Sequence, residues 1–104
     1  MAQVFDNIII NARQAMPNGG QIVISARNIY ASSGRQVQIS FEDNGIGIAP
    51  HLLAQIFDPF FSTKKSGHGL GLAIVYSIIR KHDGDIIVES IQNKGTKFLL
   101  SFPV

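Results

Sequence analysis

Two asparagines four residues apart, Asn7 and Asn11, are the first candidates for chemistry in this sequence. On a helix this spacing places both side chains on the same face, one turn apart. An amide oxygen is a neutral, hard ligand of the kind that Mg²⁺ accepts, while water and substrate phosphates complete the coordination. The same pair could instead be surface residues or bond to the local backbone. Because asparagine is a poor residue for the middle of a helix, the pair calls for a reason beyond helix formation.

A glycine-containing segment, residues 43–47, follows a predicted strand and begins with a carboxylate, Asp43. Glycines here permit tight turns and let a flat ligand approach the main chain. A carboxylate at a strand end can accept a hydrogen bond from an exocyclic amine such as that of adenine. A simple Asx turn explains the same residues without any ligand.

A second glycine-rich segment, residues 67–72, leads into a long apolar helix. Such a helix start directs backbone N–H groups and the positive end of the helix dipole toward an anion, so it can bind phosphate. The segment does not follow a strand and lacks the Lys-Ser/Thr ending of a P-loop, so Rossmann and P-loop folds are disfavoured. Between the two glycine segments, residues 56–66 combine phenylalanines with a polar run, which is typical of a ligand-covering loop with a hydrophobic anchor.

Composition and spacing argue against several other chemistries. The chain of 104 residues has no Cys, which rules out disulfides, a thiolate nucleophile and cysteine-bound zinc. Its three histidines match no zinc motif, and its net charge of +2 comes from scattered basic residues, which disfavours nucleic acid binding. No apolar run reaches the roughly 20 residues that cross a bilayer, and no signal peptide is visible. We expect a soluble segment in the cytoplasm, whether or not the parent protein is anchored in the inner membrane.

The first half of the chain is predicted to supply one helix and one hairpin. Residues 2–16 show helical periodicity, and the two asparagines lie in a polar stripe beside an apolar arc. Residues 21–30 and 36–42 alternate in hydrophobicity, which predicts two antiparallel strands with one face buried. The residues expected on the buried face of the first strand are Ile22, Ile24 and Ala26.

The second half is predicted to add a short helix near residues 51–56, a helix over residues 70–82 and a second hairpin. The longer helix is apolar nearly all round, which predicts burial on most sides. The hairpin joins strands at 85–91 and 96–102. The order of elements predicts one α+β domain, a two-layer sandwich with about three helices on one face of a largely antiparallel sheet.

Taken in this order, the segments resemble the catalytic ATP-binding domain of sensor histidine kinases, within the GHKL or Bergerat-fold ATPase superfamily. The N box of that family resembles residues 7–12, its first glycine box residues 43–48, its F box residues 57–64, its second glycine box residues 67–72 and its final glycine element residues 95–98. The resemblance implies a Bergerat fold and Mg-ATP as ligand. It also implies transfer of the γ-phosphoryl group to a protein histidine in two-component signalling.

The resemblance implies roles for individual residues at the metal and base. Asn11 would bind the Mg²⁺ of Mg-ATP with Asn7 lining the same site, and these two are the candidate catalytic residues. Asp43 would bind the adenine amine, helped by Gly47 and, through water, by Thr96.

Further nucleotide contacts are implied along the other motifs. Backbone N–H groups of the second glycine box would bind the phosphates, and leucines of the same box would flank the purine. The F box would form a short lid, with a lysine reaching toward phosphate. The residues concerned are Gly45, Ile48, Phe60, Lys64, Gly69, Leu70, Gly71 and Leu72.

The sequence departs from the family pattern in three places. Gln14 stands where many members have Lys or Arg, and His68 stands where Thr is common. The two strands that usually precede the N-box helix are absent. An N-terminal truncation of this kind would expose apolar surface or a sheet edge, which could support non-native dimers.

The implied partners are ATP or ADP, a dimerisation domain of the same parent protein that carries the phosphoacceptor histidine, and a downstream response regulator. No histidine of this chain lies in a phosphoacceptor motif, so the segment is not expected to complete phosphotransfer alone. Hydrolytic members of the superfamily have an acidic residue where this chain has Asn7, which favours transfer to a protein over hydrolysis. The alternatives are a GHKL-type ATPase without histidine kinase activity, a nucleotide-binding interaction module and a serine-directed anti-sigma kinase. The phenylalanine-containing run at residues 57–61 favours the histidine branch over the last of these.

Overall fold

The computed structural model describes residues 2–32, 34–53, 55–57 and 70–104 of the chain. Helices and strands follow one another in the predicted order, with two hairpins separated by helical segments. The elements are α1 (Ala2–Gln14), β1 (Ile22–Ala31), β2 (Gly34–Asp43), α2 (Pro50–Leu53), α3 (Leu70–Lys81), β3 (Asp85–Ile91) and β4 (Gly95–Pro103).

The four strands form one antiparallel sheet in the order β1-β2-β4-β3. Each hairpin contributes two neighbouring strands, and the pairing of β2 with β4 joins the hairpins side by side. This pairing runs from Gln36 opposite Pro103 to Asp43 opposite Thr96. The prediction of an antiparallel sheet built from two hairpins is confirmed.

The core lies between one face of this sheet and the helices. Helix α1 packs against α3 and β2, and α3 also packs against β3. An edge-to-face contact between the rings of Phe5 and Phe41, with centroids 5.2 Å apart, links α1 to the sheet. Burial of each large apolar side chain contributes about 1.5–3 kcal/mol to folding. The core residues are Val4, Ile8, Phe41, Ile56, Val75, Ile79, Phe98 and Leu100.

On the helix-covered face, side chains of β2, β4 and β3 line up in rows across the sheet. Because side chains alternate between faces along a strand, every second register position contributes to this face. Two successive rows are apolar, whereas the next row, at the end of the sheet, is polar. The rows are Ile39–Leu100–Ile86, Phe41–Phe98–Val88 and Asp43–Thr96–Ser90.

The predicted burial of β1 is wrong for most of the strand. Ile24 is 52% exposed, and Ala26 is exposed as well, whereas Ile22 is partly buried. The physical reason is position: β1 is the edge strand, and α1 packs against β2, one strand further in. Alternation along a strand indicates two different faces, but a covering helix decides which face is buried.

The predicted burial of α3 on most sides is also wrong. Val75 and Ile79 are fully buried, but Ile74 is 38% exposed and Tyr76 is 44% exposed. Helix α3 contacts α1 on one side and β3 on another, which leaves a third side toward solvent. The ring of Tyr76 lies against that of Phe57, with centroids 5.5 Å apart.

Each of the three helices ends before the predicted residue, α3 by a single residue. Helix α1 ends at Gln14, where the N–H of Ala15 is shared between the carbonyls of Asn11 and Ala12, and Pro17 prevents continuation. Helix α2 has 4 residues. Among the residues that the structure describes, no helix combines the length and apolarity that a membrane span requires.

Candidate functional site

Asp43, the last residue of β2, is a buried carboxylate at the end of the sheet, with 8% of its surface exposed. Its Oδ1 accepts a hydrogen bond from the N–H of Gly45 at 2.9 Å, and the N–H of Thr96 also donates to the carboxylate. Burial raises the pKa of Asp43 above its usual 3.8, the two N–H groups oppose this, and the charge of Glu42 adds to it. The Asx turn considered from the sequence is present, but it does not account for the burial of a charge.

Thr96 and Ser90 continue the polar row from Asp43 across β4 and β3. Thr96 is buried, and its Oγ1 lies 2.9 Å from Oγ of Ser90. Ser90 Oγ also accepts from the N–H of Ile48 at 2.7 Å and donates to the carbonyl of Gly95 at 2.9 Å. Ser90 thereby joins the loop after β2 to the polar row.

Sequence reasoning missed Ser90, although a signal for it exists. Ile86, Val88 and Ser90 share the inward parity of β3, so the serine is a polar residue on an otherwise apolar face. A polar side chain in such a position is expected to have hydrogen-bond partners.

The loop after β2, residues 43–48, is held at both sides by backbone hydrogen bonds. The N–H of Ile46 donates to the carbonyl of Ala15 at 2.9 Å, and the carbonyl of Ile46 accepts from the N–H of Asn93 at 2.6 Å. Oδ1 of Asn44 accepts from the N–H of Gln21 at 2.9 Å. The end of α1 and the turn between β3 and β4 therefore position the loop without a ligand.

Gly47 and Gly95 are required by close packing around this loop. Gly47 has φ of +71°, and a Cβ there would meet the carbonyl oxygen of Ile91. Gly95 has φ of +141°, and a Cβ there would meet the carbonyl oxygen of Asp43. Both glycines therefore have a structural reason that does not involve a ligand, while the predicted help of Gly47 in binding adenine stays a prediction.

The asparagine pair lies on α1, and both side chains are partly buried. Nδ2 of Asn11 donates to the backbone carbonyl of Asn7 at 2.8 Å, which orients the Asn11 amide. Each asparagine directly precedes an apolar residue, Ile8 or Ala12, that lines a narrow void against Asp43. The amide stripe therefore runs beside the helix face that meets the end of β2.

The donor set suits magnesium better than a metal bound by several protein side chains. In the part of the chain that the structure describes, no three His, Cys, Asp or Glu residues cluster as metal ligands. Mg²⁺ is often held by one or two protein oxygens together with substrate phosphates and water.

The remaining predicted site residues are distributed between the loop, α3 and undescribed segments. Ile48 and Leu72 are partly buried and pack against the core. Leu70 and Gly71 lie in the first turn of α3. Three predicted nucleotide contacts lie outside the described residues: Phe60, Lys64 and Gly69.

A cleft of about 730 Å³ opens at the polar end of the sheet. Asp43, Ser90 and Thr96 all line it. The other charged residues of its lining are of both signs: Glu42, Glu89, Lys94 and Lys97. Its size lies within the range of small-molecule sites, roughly 300–1,000 Å³. A second cleft, of about 670 Å³, lies beside the end of α1 and does not include Asp43.

Comparisons with known proteins identify the family of this chain. The profile of a family described as "Histidine kinase-, DNA gyrase B-, and HSP90-like ATPase" matches residues 1–104. The chain is 44% identical over 104 residues to sporulation kinase E of Bacillus subtilis (strain 168). The aligned region covers 100% of this chain and 14% of that protein. The chain thus spans about a seventh of that relative's length.

Solved structures show the same fold. The catalytic domain of histidine kinase ThkA, in a nucleotide-free form, superposes with a TM-score of 0.81 at 37% identity, covering 97% of this chain and 64% of that one. Full-length ShkA in complex with AMPPNP superposes with a TM-score of 0.81 at 32% identity, covering 97% of this chain and 20% of that one. The chain belongs to the histidine kinase-, DNA gyrase B- and HSP90-like ATPase family, and the relatives that it resembles are histidine kinases.

Proposed function

We propose that this domain binds Mg-ATP and supplies the γ-phosphoryl group to a histidine on a separate dimerisation domain of the same parent protein. A response regulator would then receive the phosphoryl group in two-component signal transduction. The observation that carries the proposal is the buried Asp43 carboxylate, which heads a polar row at the end of an otherwise apolar sheet face. The family match over residues 1–104 supports it.

Asp43 suits recognition of an adenine amine. An ionised carboxylate offers about four acceptor positions, and the N–H groups of Gly45 and Thr96 occupy two of them. Acceptor capacity therefore remains for an amine donor. A buried carboxylate with a raised pKa is also a frequent mark of a functional site.

The phosphate side of the site would involve α1 and α3. Asn11 would hold Mg²⁺, with Asn7 beside it, and the bound ion would neutralise phosphate charge. The first N–H groups of α3, from Leu70 and Gly71 onward, lie at the positive end of a 12-residue helix, where an anion is stabilised. Sequence reasoning adds Gly69, Lys64 and Phe60 to this side as predictions.

Transfer to a protein is favoured over hydrolysis by the amides on α1. A hydrolase needs a general base to activate water, and α1 places neutral amides at positions 7 and 11. The acidic residue of α1, Asp6, is exposed on another side of the helix. Phosphoryl transfer by positioning and charge neutralisation does not need an acid on this helix.

A second candidate function is a nucleotide-binding interaction module. The exposed edge strand β1, with Val23 and Ile24 about half exposed, favours it because such an edge can pair with another chain. This alternative shares the nucleotide site and differs in having no turnover.

Binding is tested first, by thermal unfolding of wild type, Asp43→Asn and Asn11→Ala with Mg-ADP. At about 100 times Kd, we expect wild type to gain about 2.7 kcal/mol of stability. Asp43→Asn should lose this gain with and without magnesium, whereas Asn11→Ala should lose only the part that depends on magnesium. Gln3→Ala, an exposed amide of the same helix, is the matched control. No stabilisation of wild type by nucleotide would contradict the proposal.

Turnover is tested with ATP labelled in the γ-phosphate and a separately prepared dimerisation domain of the parent protein. Label on that domain supports the kinase, and its loss after treatment with acid would indicate phosphohistidine. Release of phosphate alone would favour an ATPase. Binding without either product would favour the interaction module.

A further inference from the structure

Two hydrogen bonds join the loop after β2 to the segment that follows α1. The N–H of Ile46 donates to the carbonyl of Ala15 at 2.9 Å. Oδ1 of Asn44 accepts from the N–H of Gln21 at 2.9 Å. These two bonds, called the clasp below, hold the loop at both ends of the segment between α1 and β1.

Two glycines show how closely the loop and this segment pack at the clasp. Neither Gly20 nor Gly45 has a positive φ, so the backbone conformation does not require glycine at these positions. A Cβ on Gly45 would meet the carbonyl oxygen of Ala15. A Cβ on Gly20 would lie 2.6 Å from Oδ1 of Asn44. The close approach of the two segments therefore explains both glycines.

The clasp continues into the backbone of α1. The N–H of Ala15 donates to the carbonyl of Asn11 at 3.0 Å, while the carbonyl of Ala15 accepts from Ile46. Two successive hydrogen bonds thus connect the main chain of Asn11, the candidate magnesium ligand, with the loop that begins at Asp43, the candidate adenine contact. A shift of the loop relative to α1 would change the distance between the side chains of Asp43 and Asn11.

The loop is also held from its other side. The N–H of Asn93 donates to the carbonyl of Ile46, and Oγ of Ser90 accepts from the N–H of Ile48. These contacts come from β3 and the turn after it, and they do not involve α1. Without the clasp, the loop would therefore stay attached to the sheet but would lose its fixed position relative to α1.

We propose that Asn44 is a positioning residue that couples the adenine end of the nucleotide site to its magnesium end, an inference that rests on the proposed function. A nucleotide occupies both ends at once only if Asp43 and Asn11 stand at the spacing that its base and phosphates require. A spacing that is fixed in advance adds to affinity, because nothing has to be rearranged on binding. The side chain of Asn44 supplies one of the two bonds that fix this spacing.

The test compares the affinity for ADP with and without magnesium in Asn44→Ala. The quantity measured is the ratio of two dissociation constants, ADP without Mg²⁺ over Mg-ADP, from titration calorimetry. We expect the ratio to fall about fivefold, the effect of one neutral hydrogen bond. The reason is that a nucleotide held at Asp43 would present its phosphates to Asn11 at a less suitable distance. A general loosening of the loop would instead raise both constants by the same factor and leave the ratio unchanged.

Ser90→Ala is the matched control, because it removes the acceptor for the Ile48 N–H on the other side of the loop and leaves the clasp intact. It should raise both dissociation constants by similar factors, so that the ratio stays at the wild-type value. In an Asn11→Ala background, Asn44→Ala should not change the ratio, because the candidate magnesium ligand is already removed.

Folding of the variants is checked by thermal unfolding before titration. Asn44 is exposed, so we expect Asn44→Ala to fold. If it does not, Gly20→Ala takes its place, because its methyl group would press on Oδ1 of Asn44 and should lower the ratio as well.

An unchanged ratio in Asn44→Ala overturns the coupling role and leaves nucleotide binding standing. An equal fall of the ratio in Ser90→Ala also overturns the coupling role, since any loosening of the loop would then have the same effect. A wild type that binds ADP equally well with and without Mg²⁺ does so too. Absence of ADP binding by wild type overturns both proposals.

Discussion

Asp43 and Thr96 face each other across β2 and β4, and the backbone N–H of Thr96 donates to the Asp43 carboxylate. Among the residues that the structure describes, Asp43 and Thr96 are the two polar residues that are buried. The contacts that position these two side chains also help to hold β2 against β4. Changes at this pair should therefore alter stability and binding together, although with opposite signs in some cases.

The raised pKa of Asp43 predicts that the stability of the folded protein depends on pH. Its pKa in the folded protein lies above 3.8, chiefly because burial penalises the charged form. The stability that its protonated form contributes is therefore complete below pH 3.8 and is lost as pH rises through the raised folded pKa. We expect the free energy of unfolding of wild type, minus that of Asp43→Asn, to decrease over this interval and to level off above it. Urea unfolding across a pH series measures this difference.

The control for the pH series is Glu89→Gln, which removes an exposed carboxylate of β3 and so reports a general effect of net charge. A difference between wild type and Asp43→Asn that stays flat or rises with pH would show that the buried carboxylate does not lower stability when it ionises.

Gly47→Ala should reduce both stability and nucleotide affinity. The residue has positive φ, and the added methyl would meet the Ile91 carbonyl, so the 43–48 loop must shift. Gly19→Ala is the matched control, because Gly19 also has positive φ, +90°, but has open space around the added carbon. We expect a loss of about 1–2 kcal/mol for Gly19→Ala, from backbone strain alone. Gly47→Ala should lose about 2–5 kcal/mol, since overpacking adds to strain.

Urea unfolding measures both glycine variants, and titration with Mg-ADP measures their affinities. Only Gly47→Ala should bind ADP more weakly. Equal losses of stability in the two variants would mean that the loop tolerates the methyl group and that only backbone strain matters.

Two isoleucines of α3 provide a matched test of the core. Ile79 is fully buried between the helices and the sheet, whereas Ile74 is 38% exposed on the same helix. We expect Ile79→Ala to lower the free energy of unfolding by about 2–5 kcal/mol, from lost transfer energy and the cavity left behind. Ile74→Ala should cost less than about 1 kcal/mol. Chemical denaturation measures both, and similar losses would indicate that α3 is covered on the Ile74 side as well.

Local patterns predicted much of this fold because they depend on residues close in sequence. The alternation over residues 36–42 predicted a strand with one buried face, and the glycine segment marked the loop after Asp43. Ile24 shows where such reasoning ends, since its exposure depends on how far α1 extends across the sheet. The burial of Asp43, which raises its pKa, likewise depends on distant residues.

The candidate site also combines features that local sequence predicts with features that depend on distant residues. The asparagine pair and Asp43 could be found from residue type and spacing, because these bear directly on ligand chemistry. Ser90 could be found only from the register of β3 with β4, which places it beside Thr96. Hydrogen-bond directions around its single proton required the geometry of all its partners.

The peptide groups of Ile46 connect Ala15 near the start of the chain with Asn93 near its end. During synthesis on the ribosome, the loop after β2 would emerge well before the turn that holds its far side. A nascent chain arrested before residue 93 would therefore carry the Asp43 carboxylate on a loop that is anchored at one side only. The second side of the loop is anchored only in a chain that has already formed the turn between β3 and β4, so a nucleotide that binds as proposed would meet a fully held loop only after these strands pair.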